Sequence, residues 1–269
     1  MQSHDRGVPY TPVAIVLDHL AGYNAYMSKP WGILEPTEGD RQTRDLFDNQ
    51  LFPGSDHIHA KPFPENPELS YLRPTPYGEI FDVQLTSASA DILASYPVLL
   101  LAGDIEFDES LITKLESVLR RGGRLLLSTA HQKALGANFA RLAKYPGTEL
   151  LQPWINPQTG RSAAISEARL RRLANETLPV EVSGDAIEYE INRTAGGWVV
   201  ELVNNNGVKK KPDQPATVDA AAVARVVLRL KTVCSLAKEW RSSHTYPNPT
   251  NLHLEVGPGQ SAFIECVSN

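Results

Sequence analysis

The sequence predicts an α/β domain with a parallel sheet over residues 1–176, followed by an all-β domain over residues 177–269. Apolar runs such as Val13–Leu17 alternate with helical patterns in the first part, which is typical of strands buried on both faces of a parallel sheet. Residues 98–129 read as strand, amphipathic helix, Gly-Gly stop and strand, the pattern of a βαβ crossover. After Pro179 the apolar period changes to two, and short runs separated by turn residues favour a β-sandwich.

The elements of the first part follow from start and stop signals. The strand Val13–Leu17 ends at Asp18-His19, and Asp40 is expected to cap a helix that runs to Leu51 and stops at Pro53-Gly54. Further strands are predicted at 80–85, 98–102 and 124–129, and further helices at 90–96, from the cap Asp108 to Gly122-Gly123, and from the cap Ser166 to 178.

The second part is predicted from period-two alternation and from Gly and Asn turns. Strands are expected at 187–191, 198–203, 225–230, 252–256 and 261–267. Both cysteines, Cys234 and Cys266, lie in this part. They can pair across a sandwich, but we interpret them as two buried thiols, since neither lies in a CxxC or metal-ligand spacing.

Composition and charge argue against several kinds of partner. The formal net charge of −5 argues against a nucleic-acid partner, and the single basic run, Lys209–Lys211, is interpreted as a solvated loop tip. No apolar stretch reaches the roughly 18 residues of a membrane span. The polar start of the chain shows no signal peptide. We therefore expect a soluble chain without a membrane partner, in a compartment that the sequence does not specify.

Polar residues follow three of the predicted parallel strands. Asp18 and His19 end the first, Asp104 follows the second, and Thr129 and His131 follow the third. Ligands of open parallel sheets collect at this edge, so these residues are the catalytic candidates, with Thr129 as a substrate-binding candidate. Two carboxylates and two imidazoles suit either acid–base chemistry or a divalent metal. The alternative is that they cap the helices that follow.

Two other groups of residues carry weaker hypotheses. The metal-ligand candidates are Asp18, His19, His57 and His59. Two of them, His57 and His59, face the same side of an extended segment. Exposed rings stack on sugars, which makes the loop aromatics Trp31, Tyr71 and Tyr77 substrate-binding candidates, or else packing residues. Trp198 lies in an alternating strand, where an aromatic is usually core. No cofactor is predicted beyond the divalent metal option.

Absent motifs are equally informative. The sequence has no GxSxG, HExxH, Walker or GxGxxG motif. The first 176 residues contain no cysteine, so the thiolate nucleophile of a class I amidotransferase is missing. That activity is excluded.

The order of these segments resembles the C-terminal part of bacterial β-galactosidase-type glycoside hydrolases. The matching segments are Pro12–Asp18, Tyr96–Gly103, Leu119–Leu126, Gly197–Asn205 and Gly257–Phe263. The resemblance implies a three-layer, flavodoxin-like or class I amidotransferase-like trimerisation domain that has lost its nucleophile, followed by an immunoglobulin-like β-sandwich. The barrel that carries the catalytic carboxylates in that family has no counterpart in this sequence, so no catalytic residue is carried over.

Three hypotheses for function follow. The first is a non-catalytic assembly or substrate-shaping part of a carbohydrate-active enzyme, with a homo-oligomer or a barrel-bearing glycoside hydrolase chain as the implied partner. The second is a free-standing polysaccharide hydrolase or lyase, metal-assisted in one version, with its site at the strand ends. The third is a glycan-binding module that uses Trp31, Tyr71, Tyr77 or Trp198. All three have carbohydrate as the ligand.

Overall fold

A computed structural model describes residues 4–20, 35–53, 75–157, 160, 162–209 and 213–267. The strands, in chain order, are β1 (Val8–Pro9), β2 (Val13–Leu17), β3 (Phe81–Leu85), β4 (Val98–Leu101), β5 (Arg124–Leu127), β6 (Thr148–Leu150), β7 (Trp154–Ile155), β8 (Ser162–Ala163), β9 (Val180–Gly184), β10 (Glu188–Thr194), β11 (Gly197–Asn204), β12 (Val208–Lys209), β13 (Thr217–Val218), β14 (Ala224–Leu230), β15 (Leu236–Glu239), β16 (Thr245–Pro247), β17 (Asn251–Val256) and β18 (Gln260–Val267). The helices are α1 (Glu38–Asp45), α2 (Ala90–Ala94), α3 (Glu109–Arg120), α4 (Thr129–Leu135), α5 (Phe139–Ala143) and α6 (Glu167–Thr177), with a π-helical turn at Leu46–Leu51 and a 3₁₀ turn at Gly136–Asn138.

The chain forms two compact units. Of the described residues, 11–20, 35–53 and 81–173 form the α/β unit, whereas 4–10, 75–80 and 174–267 form the β unit. No helix among the described residues has the length and apolar character needed to cross a membrane.

The α/β unit is built on a parallel sheet, as the sequence predicts, and this sheet has five strands, of which β6 was not predicted. Its strand order is β3-β2-β4-β5-β6, with every neighbouring pair parallel. All residues of β2 and β4 are buried, which explains their continuous apolar sequence. The second of these strands in the chain, β3, therefore lies at one edge of the sheet. The first, β2, lies next to it and is followed by β4, β5 and β6.

Helix α3 shows how the sequence builds this core. Asp108 caps it, accepting a hydrogen bond from the Leu111 N–H at 2.6 Å. Leu111 and Leu115 pack in one buried cluster with Leu99 and Leu101 of β4, which confirms the predicted apolar face.

The start of α1 differs from the prediction. Thr37, not Asp40, is the N-cap: the Thr37 hydroxyl accepts from the Asp40 N–H at 3.0 Å. The Asp40 carboxylate in turn accepts from the Thr37 N–H at 2.9 Å, which completes a capping box. Asp40 is thus the third helical residue. The predicted end is close to the observed one, because the π-helical turn finishes at Leu51.

The β unit consists of antiparallel sheets. A six-stranded sheet has the order β1-β10-β11-β18-β15-β16, a three-stranded sheet has the order β17-β14-β9, and β12 pairs with β13. The five predicted strands are all present, in β10, β11, β14, β17 and β18. Strands β9, β12, β13, β15 and β16 were not predicted, and neither was β1, whose Val8 and Pro9 pair with Arg193 and Asn192.

Both thiols of the β unit are buried, and neither forms a disulfide. This confirms the interpretation of Cys234 and Cys266 as buried thiols.

Candidate functional site

A cleft of about 430 Å³ opens at the carboxyl ends of β2 and β4. The chain leaves β2 for β3 on one side of the sheet and returns to β4 on the other side. Such a reversal of strand order leaves a crevice in which ligands of open α/β sheets bind. The polar side chains that line the cleft are Asp18, Thr37, Asp40, Thr43, Asp104 and Glu106.

Asp18 is held at the bottom of this edge by backbone donors. Its Oδ1 accepts from the Leu20 N–H at 2.8 Å and its Oδ2 from the Glu106 N–H at 3.1 Å. The residue is buried, so these bonds replace the water that a carboxylate requires. Asp18 therefore joins the loop after β2 to the loop after β4.

The carboxylate of Asp104, a residue that follows β4, contacts the N-terminal cap of α1. Its Oδ2 accepts from the Thr37 hydroxyl at 2.5 Å. Gly39 is packed so closely against it that a Cβ on Gly39 would lie 2.5 Å from Asp104 Oδ1. The hydroxyl of Thr43, one turn further along α1, donates a hydrogen bond to the Gly39 carbonyl at 2.9 Å. The carboxylate of Asp104 thus supports the helix cap rather than standing free.

His131 uses both ring nitrogens within the protein. Its Nε2 donates to the Gly103 carbonyl at 2.7 Å, and its Nδ1 accepts from the Ser128 N–H at 3.1 Å. Burial lowers the pKa of His131, while the hydrogen bond to Gly103 and the charge of Asp104 raise it less, so the ring is neutral at neutral pH. Ser128 and His131 form the capping box of α4. For His131, the structure therefore agrees with the alternative that the residues after the strands cap the helices that follow.

His19 and Thr129 complete the strand-end candidates. The His19 Nδ1 lies 3.1 Å from Thr86 Oγ1 and 3.6 Å from Asp18 Oδ1, with half of its side chain exposed. Thr129 is the exposed first residue of α4. Neither residue lines the cleft. The structure therefore brings Asp18 and Asp104 together in the cleft and places His19, Thr129 and His131 around it.

The other candidates do not join this cleft. Tyr77 is only 1% exposed, so its ring has no face open to a sugar. Trp198 contacts Tyr10 edge-on, and the Arg193 guanidinium lies over both rings at 5.1 and 4.7 Å. Trp31, Tyr71, His57 and His59 lie outside the described residues. Within the described part of the chain, no three His, Cys, Asp or Glu side chains are placed to hold a metal ion.

Four lining residues were missed from the sequence, namely Thr37, Asp40, Thr43 and Glu106. The Thr37-x-x-Asp40 spacing is a capping-box signal that places a helix start here. No local pattern indicates that this helix start faces the ends of β2 and β4.

The charges of the cleft are all of one sign. Asp18, Asp40, Asp104 and Glu106 line it, and no Lys, Arg or His is among the described lining residues. Carboxylates and hydroxyls accept hydrogen bonds from hydroxyl-rich ligands and repel anions. The arrangement suits a neutral polyhydroxylated ligand better than a phosphate or a nucleic acid.

No protein-family model matches the sequence, and no curated protein matches it significantly. Among solved structures, the chain is similar to α-L-fucosidase isoenzyme 2 from Paenibacillus thiaminolyticus (14% identity, 97% of this chain and 49% of that one, TM-score 0.49). It is also similar to the exo-carrageenase GH42 from Bacteroides ovatus (11% identity, 96% and 29%, TM-score 0.45). A third structure is the GH42 β-galactosidase Gan42B (10% identity, 96% and 40%, TM-score 0.41). The chain spans less than half the length of each.

Proposed function

We propose that this chain is a non-catalytic assembly or substrate-shaping part of a carbohydrate-active enzyme. Its α/β unit would be a flavodoxin-like or amidotransferase-like domain and its β unit an immunoglobulin-like sandwich. One observation carries the proposal: the polar groups at the strand ends form hydrogen bonds within the protein. Both oxygens of Asp18 and both ring nitrogens of His131 are bonded to main-chain groups or a cap.

Catalytic acids and bases must reach a substrate atom within hydrogen-bond distance. The Nδ1 of His131, which is its unprotonated ring nitrogen, would have to give up its hydrogen bond from the Ser128 N–H before it could accept a proton from a substrate. Burial also lowers its pKa, which makes it a weaker base. The unit has no thiol nucleophile either, since the only cysteines are residues 234 and 266. These residues are connectors of the fold rather than reacting groups.

The edge of the parallel sheet supports an assembly role. In the described part of the chain, β3 pairs with β2 only. Val83 and Leu85 lie on the same face of β3 and are 51% and 44% exposed, although parallel sheets are normally covered on both faces. An uncovered apolar edge strand is a surface for another chain. We assign it to a second copy of this chain.

Two measurements on the purified chain test this proposal. We expect no release of product from a panel of aryl glycosides and polysaccharides, and a mass above that of the monomer by light scattering. Val83→Lys should shift the chain towards the monomer, whereas Val233→Lys, at an exposed position in the β unit, should not. A monomeric chain that cleaves a glycan unaided would overturn the proposal.

A second candidate is a polysaccharide hydrolase or lyase that acts at the cleft. The four carboxylates that line the cleft at the reversal of strand order favour it. If it were correct, Asp18→Asn and Asp104→Asn would each abolish turnover. Asp91→Asn, at an exposed carboxylate paired with Arg121, would be the matched control.

A further inference from the structure

The two cysteines of the β unit are brought together at the end of β18. Cys234 directly precedes Ser235, and Cys266 directly precedes Val267. The Ser235 N–H donates to the Val267 carbonyl at 2.9 Å, and the Ser235 hydroxyl donates to the same oxygen at 3.1 Å. Each cysteine is therefore the neighbour of a residue that joins the segment before β15 to the end of β18.

Both side chains are buried at this place. Cys234 is 6% exposed and Cys266 is 3% exposed. In the ladder between β15 and β18, Cys266 lies directly opposite Ala237, so these two side chains lie on the same face, and both are buried. Because the methyl group of Ala237 is small, it leaves Cys266 room for contact with a second buried side chain.

That second side chain is the thiol of Cys234. Burial is the largest cause that raises the pKa of Cys266, and the charge of Cys234 and a hydrogen bond between the two thiol groups raise this pKa further. A thiol is a weak donor and a weak acceptor, so such a bond requires neighbouring sulfur atoms. Neither cysteine is in a disulfide. The structure thus shows the reduced form of two cysteines in contact.

A buried cysteine often serves only as a small apolar residue of the core. Contact between two of them adds a chemical possibility, because a disulfide forms only when the two residues are already close. The sequence contains two cysteines in all, so no third thiol competes for either of them.

We propose that Cys234 and Cys266 are a redox modification site, which a small-molecule disulfide oxidises to an intramolecular disulfide. The thiolate of one cysteine attacks a sulfur of the oxidant, which forms a mixed disulfide and releases one small thiol. The thiolate of the other cysteine then attacks the protein sulfur of the mixed disulfide, and a second small thiol leaves. Two protein thiols become one disulfide, the oxidant is reduced to two thiols, and the two protons pass to the leaving thiolates.

The bond fastens the end of β18 to the segment that enters β15. A disulfide stabilises a fold mainly because it restricts the unfolded chain. Since the raised pKa of Cys266 makes its thiolate scarce while the fold is closed, oxidation is slow and follows local opening at the strand end. The chain then carries two thiols in a reducing compartment and one disulfide in an oxidising one.

Incubation of the purified full chain with oxidised glutathione at pH 8 tests the proposal. It is repeated a few degrees below the melting transition, where local opening is frequent. We expect both free thiols to disappear in a thiol titration. A peptide map should show the fragment of Cys234 linked to the fragment of Cys266. The melting temperature should rise by several degrees and return to its first value after reduction with dithiothreitol.

Cys234→Ser and Cys266→Ser are the matched variants. Each should keep its remaining cysteine as a free thiol or as a glutathione adduct, and oxidised glutathione should not raise its melting temperature. The wild-type peptide map decides if either variant fails to fold. Two glutathione adducts on one chain, a bridge between two chains, or two thiols that stay free just below the melting transition would each overturn the proposal. The result is independent of self-association and of catalysis.

Discussion

The Nε2 of His131 donates to the carbonyl oxygen of Gly103 at 2.7 Å, which fastens the first turn of α4 to the end of β4. His131→Ala removes this donor and also the acceptor of the Ser128 N–H. We expect a loss of about 1–3 kcal/mol in the free energy of unfolding, the usual cost of leaving buried polar groups unpaired. Urea unfolding measures it, with the exposed His253→Ala as the control. Equal stability of the two variants would refute the structural role.

His131 also makes stability depend on pH. Burial lowers the pKa of His131 below its ordinary value of 6.5, so the folded chain binds this proton less readily than the unfolded chain. The stabilising contribution is therefore complete above pH 6.5 and is lost as the pH falls through the lower folded pKa. Urea unfolding at pH 7.5 and 5.5 should show a smaller difference for His131→Gln than for wild type. An unchanged difference would contradict this assignment.

Glu149 is the acceptor at the centre of an arginine pair. Glu149→Gln weakens the hydrogen bonds from Arg169 and Arg124. We expect a loss of about 1–2 kcal/mol in the free energy of unfolding, because these two ion pairs are only partly buried. Arg169 lowers the pKa of Glu149, so this stability is present above pH 4.5 and is lost as the pH falls through the folded pKa. Thermal melting at pH 7 and 3.5 checks it. The exposed pair Arg225–Glu255 provides the control, Glu255→Gln, which should change little.

Glu190 behaves in the opposite sense. It lies directly across from Glu201, which is already paired with Arg6 and Asn192. Burial and then the charge of Glu201 raise the pKa of Glu190, so its contribution is most favourable below its unfolded pKa and falls as the pH rises through the folded pKa. Glu190→Gln should stabilise the chain at pH 8 by about 0.2–1 kcal/mol, as for other charge pairs of this kind. A gain in melting temperature at pH 8 that shrinks at pH 4 is the expected result. A loss at pH 8 would refute it.

Gly39 fits a space that excludes a methyl group. A Cβ at this position would lie 2.5 Å from Asp104 Oδ1 and 2.7 Å from the Asp104 nitrogen. Gly39→Ala should therefore displace the loop after β4 and lower the free energy of unfolding by about 1–3 kcal/mol, the usual range for overpacking. Gly196, with nothing within 4 Å of its Cβ position, gives the control Gly196→Ala. A stabilised Gly39→Ala variant, measured by urea unfolding, would show that the close packing is absent.

Local sequence patterns predicted the elements whose signals lie within one helix or strand. The cap Asp108 and the apolar spacing of Leu111 and Leu115 identify α3, because helix period and capping depend only on near neighbours. Short strands such as Leu236–Glu239 were missed, since their pairing partners lie far away in the chain. The same holds for Val8–Pro9, whose pairing with β10 no local pattern indicates.

The candidate site divides in the same way. The sequence by itself determined which polar residues follow the parallel strands, because the βαβ order sends the strand ends to one edge. Only the tertiary structure decided what those residues do. It directs Asp18 to the Glu106 N–H and His131 to the Gly103 carbonyl, since buried polar groups must find partners and those partners belong to other loops. It also placed Trp154 and Arg172 in the lining of one cleft, which depends on how the chain after β6 returns to α6.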